Sequence, residues 1–197
     1  LGANVVNLPP KRMRPSICTV STFTVVLALG SKVGSSVPSV FTRAINLRAT
    51  DGPPPGDQVF LKDQFDPTFV TKTISKAVRW GNPVQKTHPP AVTPITNPDT
   101  HLEMYIILPP EPPVTRYVQV SNQFGLQTIT VQNPVWLGVP TQKNGIGVPQ
   151  DVDHFKFYRA SGPPVAATVD LLDQFHLEPN ITVLQPRYYA NPVAKNH

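Results

Sequence analysis

The apolar positions of the chain fall into short alternating runs, not into a helical period. Within Thr68–Trp80, Val70, Lys72, Ile74 and Lys76 alternate with Phe69, Thr71, Thr73 and Ser75. That period of two sends the two sets to opposite faces of a strand. Comparable runs occupy Val40–Ala49, Gln58–Lys62, Leu102–Leu108, Arg116–Ser121, Gln127–Leu137, Phe155–Ala160, Ala167–Leu172 and Asn180–Ala190. Breakers stand between them, such as Asp51-Gly52-Pro53-Pro54-Pro55-Gly56-Asp57 and Pro109-Pro110-Glu111-Pro112-Pro113, and these residues preset turn dihedrals. No window sustains a helical stripe. The pattern predicts an all-β protein of about ten short strands with β-sandwich-like packing.

The runs repeat. Asp63-Gln64-Phe65, Asn122-Gln123-Phe124 and Asp173-Gln174-Phe175 are spaced by 124−65 = 59 and 175−124 = 51 residues. Each is followed by a strand-like run ending in Pro-x-x-Lys: Pro83–Lys86, Pro140–Lys143 and Pro192–Lys195. His101-Leu102-Glu103-Met104-Tyr105 is answered by His154-Phe155-Lys156-Phe157-Tyr158. This predicts three tandem three-stranded units of roughly 50 residues, which must share a core because one such unit cannot bury both faces alone. The expected divisions are an N-terminal arm and strand (1–39), a first repeat with a Pro-rich spacer (40–99), a second repeat (100–150) and a third (151–197). Thr87–Asp99 reads as an extended linker and the best boundary.

Composition narrows the partners. Twenty-five prolines in 197 residues exclude long helices. The charge of +5 reads as an ordinary basic surface. Lys11-Arg12-Met13-Arg14 is the only tight basic cluster, and aromatics do not interleave with the cations as a nucleic-acid groove requires. No nucleic-acid partner is expected. Ile17–Leu29 is the most apolar stretch, too short to span a bilayer as a helix. It resembles a signal peptide in its flanks, but its Thr and β-branched content favours a long strand. Cys18 is the single cysteine, so no intrachain disulfide forms.

The pattern D-H-F-K-x-Y, then D-Q-F, then N-P-x-x-K-N resembles tandem repeats of secreted bacterial proteins of unknown function. The resemblance spans Val40–Lys195 and is sharpest in the third repeat. It implies an extracellular β module and brings no catalytic residues. Such repeats often read H-F-K-C-Y and later C-N-P. Here the two cysteine positions hold Phe157 and Ala190 in the third repeat, Met104 and Gly138 in the second, and Asn46 and Gly81 in the first. A large residue beside a small one fills the volume of a disulfide. The resemblance therefore implies that Phe157 packs near Ala190, and Met104 near Gly138.

Candidate chemistry is sparse. His101 and His154, with Asp99 and Asp153 nearby, are repeat-related and so far apart, which suits strand-entry polar residues better than a metal site. Asp63, Asn122 and Asp173 read as turn residues that bond the following backbone, and an asparagine at one of the three weakens an acid–base role. Phe65, Phe124 and Phe175 read as core plugs, one per unit. Asn180-Ile181-Thr182 is a glycosylation sequon. The Lys and Asn residues permit an internal isopeptide bond, but spacing identifies no pair. Nothing implies a cofactor, a metal or an enzyme.

Two functions fit. The first is an extracellular or cell-surface structural subunit, a filament built from copies of itself. The segment Ile17–Leu29 would be donated to a neighbouring copy, with Val20, Phe23, Val25 and Leu27 as anchors. Head-to-tail donation propagates as an open fibre. The second is a monomeric module that binds a surface polysaccharide or a protein through Trp80, Trp136, Tyr188 and Tyr189.

Overall fold

The computed structural model describes residues 56–99, 101–143 and 152–196 in full, together with the backbone of Phe23–Thr24 and Arg43–Asn46. Every regular element among them is a strand. A two-residue strand β1 (Phe23–Thr24) precedes the first unit, which comprises β2 (Arg43–Asn46), β3 (Gln58–Lys62) and β4 (Val70–Asn82). A hairpin of β5 (Gln85–His88) and β6 (Ala91–Thr93) follows. The second unit is β7 (His101–Leu108), β8 (Arg116–Asn122) and β9 (Gly125–Thr141). The third is β10 (His154–Ser161), β11 (Ala167–Leu172), β12 (Leu177–Val183) and β13 (Tyr188–Asn196).

The units share one pairing scheme. The long last strand pairs its first half with the unit's second strand and its second half with the first. In the second unit β9 meets β8 from Asn122↔Gly125 to Arg116↔Val131, then β7 from Ile106↔Trp136 to His101↔Thr141. In the first, β4 meets β3 through Val70–Thr73 and β2 through Arg79–Asn82. The third unit splits the long strand: β12 meets β11 and β13 meets β10, and Pro186 sits in the break. Proline has no N–H to give a ladder, so a break there costs no bond at that position.

Units join edge to edge. β4 pairs β7, β9 pairs β10, and β13 returns to pair β3. The strand order β3-β4-β7-β9-β10-β13-β3 therefore closes on itself. Closure removes the edges of those strands. A second sheet, β12-β11-β5-β6, carries the hairpin that follows the first unit against β11 of the third.

Period-two burial follows. Val59 and Leu61 of β3, Ile74 and Ala77 of β4, Tyr105 and Ile107 of β7, Leu137 of β9 and Val193 of β13 form one core. Leu102, Met104, Phe155, Phe157 and Ala190 lie on the alternate positions and form another. The alternation in Thr68–Trp80 holds as far as Ile74, then breaks at register shifts between Ile74 and Ala77 and between Ala77 and Arg79.

Two expectations change. Thr87–Asp99 is not a free linker: Thr87 and His88 belong to β5, and Ala91–Thr93 forms β6. Thr87 pairs Asp170 of β11, and Val92 and Thr93 pair β5, so their backbone is satisfied within the second sheet. Phe175 is not a core plug but 56% exposed. Phe65 packs on the second unit's hairpin beside Val118 and Val120, and Phe124 on the third unit's beside Val169 and Val183. Phe65 and Phe124 thus each use the hairpin of the following unit, while Phe175 stays exposed with Lys143 Nζ 5.3 Å from its ring.

The two pairings implied by the substituted cysteine positions hold. Phe157 stands opposite Ala190 and Met104 opposite Gly138. In the first unit the small residue Gly81 faces Ala44, while Asn46 faces Arg79, so Asn46 lies two residues off the equivalent position.

Candidate functional site

The Asp/Asn-Gln-Phe motif does the same local work three times. The side-chain oxygen of its first residue accepts the N–H two residues on: Phe65 N–H to Asp63 at 2.9 Å, Phe124 N–H to Asn122 at 2.8 Å, and Phe175 N–H to Asp173 at 2.8 Å. These are Asx turns, which explains why Asn substitutes freely for Asp.

The glutamine of the motif reaches across units. Gln64 Nε2 donates to Asn191 Oδ1 at 2.9 Å and to the Tyr189 hydroxyl at 3.0 Å. Reciprocally, Gln174 Nε2 donates to Asn82 Oδ1 at 2.7 Å. First and third units therefore clasp each other through equivalent contacts. The second unit has Val139 at the position of Asn82 and Asn191, and among the described residues Gln123 makes no equivalent clasp.

Around the first clasp lies a buried polar cluster. The Tyr158 hydroxyl donates to Asp63 Oδ2 at 2.7 Å, and Asn191 Nδ2 donates to the same oxygen at 3.2 Å. Lys156 Nζ lies 2.7 Å from Asp66 Oδ2 and 3.3 Å from Glu111 Oε1, which also meets Lys72 Nζ at 3.0 Å. Lys72 donates to the Pro109 carbonyl at 3.0 Å. Phe65 stands edge-on to Tyr158 at 5.2 Å. Lys156, Asn191, Tyr158 and Tyr189 are all buried. Burial holds the Asp63 carboxyl above the usual carboxylate range, although hydrogen bonds from Tyr158 and the Phe65 N–H and the charge of Lys156 oppose it. Burial, then the charge and hydrogen bond of Asp63, push the Tyr158 phenol up. The arrangement therefore brings a carboxyl, a lysine, an asparagine amide and a cross-unit glutamine donor together in a water-excluded place.

The residues singled out from sequence lie as follows. Val20, Val25 and Leu27 fall outside the described residues, as does Cys18. Phe23 is in β1, whose backbone pairs β2 of the same chain at Phe23↔Ala44. His101 is buried, stacks on Trp80 at 5.4 Å and has Nδ1 3.2 Å from Asn82 Oδ1. Burial and the charge of Lys143 lower its pKa, with Asp99 opposing. No group of three or more His, Cys, Asp or Glu among the described residues could hold a metal ion. Asn180 and Thr182 are exposed in β12. Asn180 has φ 59° and sits where Pro179 and Asn180 together face Asp170. Asparagine tolerates that left-handed bulge, so local structure alone accounts for it. Tyr189 is buried and cannot offer a face to a ligand, while Trp136 packs on Tyr188 at 4.5 Å under Arg79.

Sequence reasoning did not single out Lys156, Tyr158, Gln64 or Asn191. One signal was present: a lysine within the apolar run His154-Phe155-Lys156-Phe157-Tyr158, in phase with Tyr158 and so facing the same side. The partner Asn191 belongs to the N-P of the repeat signature, but only the register of β10 on β13 brings the two together.

No helix among the described residues is long and apolar enough to cross a membrane. No curated protein and no solved structure matches the chain. Residues 101–197 match the model of a family described as a repeat of unknown function (DUF7450), so the second and third units fall within a known repeat pattern.

Proposed function

We propose that the chain is a structural subunit of the cell exterior that joins copies of itself by strand addition. The observation that supports this best is β8. It pairs β9 in seven uninterrupted steps, without bulge or proline, and among the described residues it has no partner on its other edge. The other free edges are blunted. β6 has three residues, β1 has two, and β12 carries Pro179 and the Asn180 bulge. Natural sheets suppress pairing by such devices, and a long regular edge lacking them is a template for another chain. Main-chain bonds then supply affinity and alternate side chains specificity.

The donor in this reading is Ile17–Leu29, anchored by Val20, Phe23, Val25 and Leu27. Phe23 and Thr24 pair β2 of their own chain, so donation exchanges that two-residue contact for one with a neighbour. Exposed Phe175, Leu177 and Leu184 add apolar surface that association would cover. Sedimentation velocity and electron microscopy test the reading. Removing residues 1–29, or changing Gln119 and Ser121 of β8 to Lys, should leave a folded monomer where the full chain forms polymers. Polymers unchanged by both, or a full chain that stays monomeric at high concentration, would defeat it.

The alternative, a monomeric module for glycan or a protein partner, rests on Tyr117, which is 77% exposed on β8. Glycan binding by the monomer that disappears in Tyr117→Ala would favour it.

A further inference from the structure

We propose that Lys156 and Asn191 condense into an intramolecular isopeptide bond between β10 and β13, with release of ammonia. The two residues stand directly opposite each other in the β10–β13 ladder, on the same face. Such cross-strand neighbours have Cβ atoms roughly 4.5–5.5 Å apart, well within the reach of a lysine side chain. Both are closed to water, at 0% and 1% exposure.

The groups the reaction needs surround them. Lys156 Nζ lies 2.7 Å from the Asp66 carboxylate, which can take a proton from the ammonium and leave a nucleophilic amine. Gln64 Nε2 stands 2.9 Å from Asn191 Oδ1, where negative charge develops as the amine attacks the amide carbon. Asp63 Oδ2 stands 3.2 Å from Asn191 Nδ2, the departing nitrogen. Burial keeps that carboxyl protonated further up the pH scale than usual, so it can serve as a general acid. Tyr158 fixes it through a 2.7 Å hydrogen bond.

The step balances without an oxidant or a co-reactant. The Nζ–Cγ bond forms and the carbonyl oxygen becomes an oxyanion. Asp63 gives its proton to Nδ2 and recovers one from Nζ. The C=O re-forms, the Cγ–Nδ2 bond breaks, and the nitrogen leaves as ammonia. Asp66 and Glu111 act on the amine before attack and take no part in the bond changes.

The repeats supply an internal comparison. Asn82 sits in the reciprocal clasp, with Gln174 Nε2 2.7 Å from its oxygen and the Asp173 turn beside it. The register there places Arg43 opposite Asn82, and a guanidinium stays protonated and is no nucleophile. In the second unit Glu103 faces Val139. Only the third unit sets a lysine against an asparagine.

Intact-mass spectrometry of the denatured full chain tests this. The expected mass is about 17 Da below that of the sequence, the loss of one ammonia. Trypsin should then yield a branched species joining residues 144–159 to residues 188–195. Lys156→Arg and Asp63→Asn should each restore the full mass and give the two peptides separately. A wild-type chain at full mass after incubation at neutral pH would overturn the proposal. So would a deficit that persists in Lys156→Arg, because a succinimide at another asparagine loses the same mass without joining peptides.

Discussion

Gly138→Ala is the sharpest perturbation of the packing that replaces the cysteine positions. A Cβ built at residue 138 would lie 2.6 Å from Cε2 of Phe157, 3.5 Å from its Cζ and 3.6 Å from the Phe155 carbonyl oxygen. Carbon atoms settle at about 3.5–4.0 Å, so the ring or the strand must move by roughly an ångström. The ring cannot swing away freely, since Leu102, Met104, Phe155 and Ala190 enclose it and Trp136 leans on it at 6.3 Å. The backbone of Gly138 is not in a left-handed conformation, so the cost is overpacking alone. That class of change destabilises by about 1–3 kcal/mol. The tight contact points to the upper half, which lowers Tm by about 4–10 °C in a chain of this size. Urea unfolding of wild type, Gly138→Ala, Phe157→Leu and the double variant reads the coupling. Shortening the ring should recover more than half of the Gly138→Ala cost, a coupling of about 1 kcal/mol or more. A Gly138→Ala chain within about 0.5 kcal/mol of wild type, or two additive substitutions, would refute the reasoning.

Other outcomes follow from the same structure. The double substitution Met104→Cys with Gly138→Cys should oxidise to a disulfide, seen as loss of thiol titre, because the two residues face each other across β7 and β9. Asn122→Ala removes the acceptor of the Phe124 N–H and should cost about 1 kcal/mol in urea unfolding, while Asn122→Asp should cost far less. The His101 pKa is lowered in the folded chain, chiefly by burial. The unfolded chain therefore binds more protons, and stability present above about pH 6.5 falls as the pH drops below it. His101→Gln should flatten that slope between about pH 7 and pH 5.5. Burial likewise lowers the Lys86 pKa to about 8. Stability should therefore rise between pH 8 and the ordinary lysine range, and Lys86→Met should abolish the rise.

Much of the strand layout was legible, for definite reasons. Gln58–Lys62 and Ala167–Leu172 form strands with the predicted bounds, because alternating Val, Leu and Phe leave a backbone few alternatives. The role of Asp63, Asn122 and Asp173 was legible too, since an Asx turn involves only neighbours in sequence. What lay beyond reach was non-local. The closing pair Lys195↔Leu61 joins residues far apart in the chain, and no local pattern encodes it. The fate of Thr87–Asp99 depended on an edge of β11 that only the assembled sheet provides. Phe175 matches Phe65 and Phe124 in sequence and makes the same Asx turn, yet it is exposed, because burial depends on what the assembled sheets bring over the ring and not on the motif. The pairing of Lys156 with Asn191 needed the register of two strands on the same face, which is a property of the fold and not of either segment.

The account stands or falls on the closure of the three units into one ring, with β13 of the third unit laid against β3 of the first. Residue-resolved amide hydrogen exchange reads this directly. The account predicts that protected amides of β3 and of Ala194–Asn196 exchange as slowly as those between β9 and β10, and that Leu61→Pro speeds exchange in both β3 and β13. Fast exchange along β3 and the end of β13, while the β9–β10 ladder stays protected, would contradict it.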